Sequence, residues 1–113
     1  MSRSIPPPLA LEERRAALAK SAVVGRQRAE LLEQLRMGTT TLAELLDRVR
    51  QDDDVVGRMR LATVLESLPD MTRRRARRIC DLTGISDTKR LQGLGSEQRA
   101  VLLRVVSAEG ENR

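Results

Sequence analysis

The chain has 113 residues, 40% of them apolar and 33% charged, with a net charge of +5; it is long enough for one modest core and too short for two full ones. It contains no Phe, Tyr or Trp, so Leu, Val, Ile, Ala and Met must build that core. The same absence counts against RNA-recognition and OB-type surfaces, which stack bases on aromatic rings.

Residues 1–8, Met-Ser-Arg-Ser-Ile-Pro-Pro-Pro, oppose helix and read as a disordered arm. Residues 9–38 are free of proline and rich in Ala, Leu, Glu, Arg and Gln, which predicts one long helix closed by Gly38. Leu11, Leu18, Ala22, Gly25, Ala29 and Leu32 mark a narrow heptad-like seam along it. Thr41-Leu42-Ala43-Glu44 fits a capping box, with Leu42, Leu45, Leu46 and Val49 on one face of the helix that follows. Asp52, Asp53 and Asp54 suit the N-terminus of a short turn from Val55 to Met59, broken at Gly57. Three consecutive carboxylates rarely converge on one ion, so helix-end electrostatics explains them better than a metal site.

Leu61–Leu68 predicts a two-turn apolar helix stopped by Pro69. Asp70 or Thr72 caps the next helix, which runs to Gly84 with Ala76, Ile79 and Leu82 turned inward. Ser86-Asp87 opens a single turn through Lys89-Arg90; Gly93 and Gly95 form a turn; Ser96 caps a last helix burying Val101, Leu102, Val105 and Val106. No strand alternation competes, so the fold class is all-α.

Catalytic chemistry has little to work with. There is no histidine, and the one cysteine, Cys80, falls on the side of its helix turned from the arginines, as a small buried apolar residue would. It excludes an internal disulfide and offers no metal set. The expectation is a non-enzyme with no catalytic residue, metal or cofactor. No apolar leader and no membrane-length apolar run occur, which predicts a cytoplasmic protein.

Charge placement is more informative than its sum. Residues 1–57 carry nine basic and nine acidic side chains, residues 91–113 three of each, and residues 58–90 nine basic against four acidic. The whole excess therefore sits in one window. Within it, Arg73, Arg74, Arg75, Arg77 and Arg78 crowd two helical turns, and their mutual repulsion needs compensation, most simply by a polyanion such as DNA. Arg73/Arg77 and Arg74/Arg78 are i,i+4 pairs on the outer side. Two helix starts, at Pro69–Arg74 and at Gly93–Ser96, offer free backbone N–H groups to phosphate. Arg73, Arg74, Lys89, Arg90 and Arg99 are expected to surround them. Such contacts position a protein on DNA without reading bases.

Two blocks are more specific. Val56-Gly57-Arg58-Met59-Arg60-Leu61-Ala62-Thr63-Val64-Leu65-Glu66-Ser67-Leu68-Pro69, and Lys89-Arg90-Leu91-Gln92-Gly93-Leu94-Gly95 before a final helix, resemble the actinobacterial integration host factor family over about residues 9–106. The resemblance implies a long N-terminal helix packed on a compact bundle of short helices containing a helix–two-turn–helix DNA-binding module over 39–107, with a flexible tail over 108–113. It also implies a nucleoid protein that binds duplex DNA with little sequence preference, bends or compacts it, and in some members assists phage integration. The family's phosphate-binding segment maps to Lys89 and Arg90, its glycine turn to Gly93 and Gly95, and its hairpin to Pro69 through Arg74. Here Asp70-Met71-Thr72-Arg73 replaces the usual glycine-bearing hairpin, and Gln92 stands where a third basic residue is common. Arg74, Arg75 and Arg78 are expected to compensate.

The expected DNA-binding residues are thus Pro69, Thr72, Arg73, Arg74, Arg77, Lys89, Arg90, Gln92, Gly93, Gly95, Ser96 and Arg99. Double-stranded DNA is the expected partner, with no membrane and no small-molecule substrate, for a protein monomeric in solution that bridges or coats DNA. Two other readings stay open: a protein-interaction module docking an acidic partner, and binding to structured RNA.

Overall fold

A computed structural model describes residues 8–111; most of the expected N-terminal arm lies outside them. Six helices follow in order: α1 (Pro8–Met37), α2 (Leu42–Arg50), α3 (Asp54–Gly57), α4 (Leu61–Glu66), α5 (Arg73–Thr83) and α6 (Ser96–Glu111). Among the described residues there is no strand beyond one isolated backbone bridge, so the chain is all-α.

Helix α1 closes in a Schellman turn. Gly38 takes φ +78, its N–H donates to the Leu35 carbonyl at 3.1 Å, and the Thr39 N–H donates to that of Gln34 at 2.9 Å. Only its last turns pack. Leu31 and Leu35 are buried and Leu32 partly so, against α3. The expected seam does not form the contact: Leu11, Leu18, Ala22, Gly25 and Ala29 are all exposed. Two leucines one turn apart bury far more apolar area than that small-residue row, and they set the register.

The capping box forms as expected: Thr41 Oγ1 accepts from the Glu44 N–H at 3.1 Å, and Glu44 Oε1 accepts from the Thr41 N–H at 2.9 Å. Leu42, Leu45 and Leu46 enter the core. Asp53 caps α3 by accepting from the Val56 N–H at 3.1 Å, and it pairs with Arg48 at 2.9 Å. Helix α4 stops at Glu66, short of the expected Leu68.

Between α5 and α6 the chain makes two turns. The first is closed by the Lys89 N–H on the Ser86 carbonyl at 3.1 Å; the second is a 3-10 turn over Leu91–Gly93. The expected single turn opened by Ser86-Asp87 is thus present, and its carbonyls have a further use. Arg60, at the N-cap of α4, supplies no side-chain cap. The orphan N–H groups of Leu61 and Ala62 are taken instead by the carbonyls of Lys89 at 2.8 Å and Asp87 at 3.1 Å. The Leu91 N–H returns a bond to Met59 at 3.0 Å, so residues 60 and 90 pair antiparallel.

Ala76, Ile79, Cys80, Ile85, Leu91, Leu94 and Leu102 close the core of this helix–two-turn–helix module. Leu82, expected inside, is 55% exposed, since it lies roughly 60° round α5 from Ile79. Of the expected α6 apolar face, Leu102 is buried, Val105 and Val106 pack partly, and Val101 stays half-exposed. Helix α6 runs to Glu111, so the expected flexible tail is helical through its first four residues.

Candidate nucleic-acid interface

The hairpin before α5 is a four-residue turn, Leu68-Pro69-Asp70-Met71, with the Met71 N–H on the Leu68 carbonyl at 3.1 Å. Proline at its second position presets φ, and the third demands a positive φ. Asp70 supplies it at φ +58, where glycine would sit without strain. Thr72 then caps α5, its hydroxyl accepting from the Arg75 N–H at 3.1 Å. The Arg73 and Arg74 N–H groups make no hydrogen bond within the described residues.

The arginine run divides. Arg75 donates to the Asp70 carbonyl at 3.1 Å and the Glu109 carbonyl at 3.3 Å, clamping the hairpin to the end of α6. Arg78 pairs with the Glu109 carboxylate at 3.3 Å. These two therefore hold the fold, and of the three arginines expected to compensate for the hairpin, only Arg74 remains uncommitted. Arg73 and Arg77 are exposed but share the groove between α4 and α5 with Glu66 and Asp87. Because Arg75 and Arg78 meet Glu109, the start of α5 lies against the last turns of α6. The two helix starts are thus separated by most of the length of α6, roughly 20 Å from Glu109 back to Ser96.

At the second start, the Gly95 carbonyl accepts the first helical bond from the Arg99 N–H at 2.9 Å, and the Gly95 N–H donates to Gln98 Oε1 at 3.0 Å. Gly95, not Ser96, is therefore the cap, and Ser96 is the first helical residue. The N–H groups of Ser96, Glu97 and Gln98 make no hydrogen bond within the described residues. Arg99 turns inward and donates to the Leu94 carbonyl at 3.0 Å, securing the preceding turn. The Lys89 stem lies over Gly93, where an added Cβ would meet its Cε at 3.1 Å; the Gln92 amide lies over buried Gly57, whose added Cβ would meet Oε1 at 3.0 Å. Gly95 faces no such neighbour, its nearest being Gln98 Oε1 at 4.0 Å. Its surface stays open for close approach from outside.

Arg90 leads to residues that sequence reasoning missed. It donates to the Arg58 carbonyl at 2.8 Å and opens onto a cleft lined by Arg28, Arg58, Met59, Arg60, Thr63 and Arg90. Four arginines and no carboxylate face it. None of the four forms an ion pair among the described residues. The charge window from 58 to 90 pointed to Arg58 and Arg60. Nothing in the balanced charge of residues 1–57 marked Arg28.

Comparison with known proteins places this arrangement. Residues 35–105 match the model of the S13-like H2TH domain. The integration host factor of Streptomyces coelicolor is 41% identical over 92% of this chain and 96% of its own. That of Mycobacterium tuberculosis is 41% identical over 86% of this chain and 91% of its own. A solved structure of sIHF bound to an 8-base-pair palindromic DNA superposes with a TM-score of 0.72 at 40% identity, covering 76% of this chain and 96% of that one. The chain belongs to the actinobacterial integration host factor family.

Proposed function

We propose that this protein binds duplex DNA through backbone phosphates with little sequence preference, bends or compacts it, and works in the nucleoid as a monomer that coats or bridges DNA. The observation that carries this reading is the open, cation-flanked start of α6. Lys89 and Arg90 precede a glycine turn whose Gly95 is unobstructed, and three free N–H groups follow. A relative of the same fold was solved on DNA. Neutralising phosphates on one side of a duplex leaves repulsion on the other, and that imbalance favours bending toward the protein at a cost of a few kcal/mol. Assistance to site-specific recombination would follow from such bending, and no catalytic role is assigned.

The test is binding to several unrelated duplexes, with structured RNA and an acidic peptide as competitors. Replacing Lys89 and Arg90 by alanine should weaken binding evenly across sequences. Preference for RNA or the peptide over duplex DNA, or unchanged affinity in the double variant, contradicts the proposal.

A further inference from the structure

We infer that the cleft between α1 and the start of α4 is a second phosphate site, which binds the backbone of the same duplex and thereby ties the long helix to DNA. The inference rests on the DNA-binding reading above and extends it from Arg90 to Arg28, Arg58 and Arg60, which that reading does not use. Arg28 comes from α1, Arg58 and Arg60 from the link between α3 and α4, and Arg90 from the loop before α6. Segments 30 residues apart are held together there by the pairing of residues 60 and 90 and by the bond from Arg90 to the Arg58 carbonyl at 2.8 Å.

Charge separates this cleft from the grooves along the arginine run of α5. On α5, the grooves beside the arginine run contain Glu66 and Asp87 on one side and Asp81 and Glu109 on the other. The cleft has four guanidinium groups, a threonine hydroxyl and no acid. Four like charges without an internal counterion repel one another, and a bound phosphodiester relieves this through fork-shaped, charge-assisted hydrogen bonds. The ligand belongs to the same duplex because only five residues lead from Arg90 to Gly95. That span is at most about 17 Å fully extended, comparable with the ~12 Å width of a major groove. A helix anchored at Arg28 extends the contact beyond the compact module.

The experiment compares the full chain with an R28A/R58A/R60A variant and with an R15A/R26A/R50A control that loses the same charge elsewhere. Affinity for one duplex is measured against salt. All six side chains are exposed, and circular dichroism checks that both variants stay folded. The cleft variant should still bind, with a log–log salt slope flatter by about 0.9 for each phosphate it no longer neutralises, while the control keeps the full slope. Equal flattening in both would mean a diffuse field and overturn the inference, as would an unchanged slope in the cleft variant. Loss by the cleft variant only of a species carrying two duplexes per protein would also overturn it. Failure of the unmodified chain to bind duplex DNA would overturn the DNA-binding reading itself, a result distinct from each of these.

Discussion

Asp70 shows how one residue can work against two things at once. Its backbone takes φ +58, a region where a non-glycine residue carries strain of about 1 kcal/mol or more, and its carboxylate lies beside a basic helix start. Asp70→Gly should therefore tighten duplex binding at every salt concentration; weaker binding in an anisotropy titration would contradict this. Arg75 behaves differently, since both its bonds are internal. Arg75→Ala should lower stability by about 1–2 kcal/mol and leave the salt slope of DNA binding unchanged, because this guanidinium neutralises no phosphate. The hairpin's proline and threonine were legible in the sequence, as was the missing glycine. The commitment of Arg75 and Arg78 to Glu109 was not, because it joins residues some 30 positions apart.

Helix limits followed from caps and breakers. Gly38, Thr41, Asp53, Thr72 and Gly84 all stand where the local chemistry puts them. Where local rules failed, a long-range partner had intervened. The turn before Arg90 was legible, but not that the uncapped start of α4 draws on its carbonyls. The seam on α1 gave way to Leu31 and Leu35 for the same kind of reason: periodicity within a helix does not reveal which face its neighbours offer. This gives a sharp contrast for mutagenesis. Leu35→Ala, at a fully buried site, should cost about 2–5 kcal/mol in denaturant unfolding. Leu18→Ala, at a site 71% exposed, should fall within about 0.5 kcal/mol of the parent; a reversal of that order would contradict the packing described.

The whole molecule measures 65 × 28 × 27 Å, a compact module with a long helix standing away from it. Its fold class and the charge-rich window were both readable in the sequence. The distribution of that charge in space was not, since the crowded arginines of α5 have acidic neighbours while four scattered ones have none. Composition also sets how binding should respond to pH. The chain has no histidine, and burial, with Asp87 and Asp81 nearby, raises the Cys80 pKa and keeps the thiol neutral. DNA affinity at fixed salt should consequently be flat from about pH 6 to 9, and Cys80 in the folded protein should react slowly with alkylating reagents. A marked pH step in affinity would point to a titrating group outside this account.

The most direct test of the central claim, that phosphates rather than bases hold this protein on DNA, is the salt dependence of affinity on two duplexes of equal length and unrelated sequence. The expected result is one shared steep line, with a log–log slope of roughly −3 or steeper at about 0.9 per phosphate contact. A shallow slope, or affinities that diverge strongly between the two sequences, would contradict it.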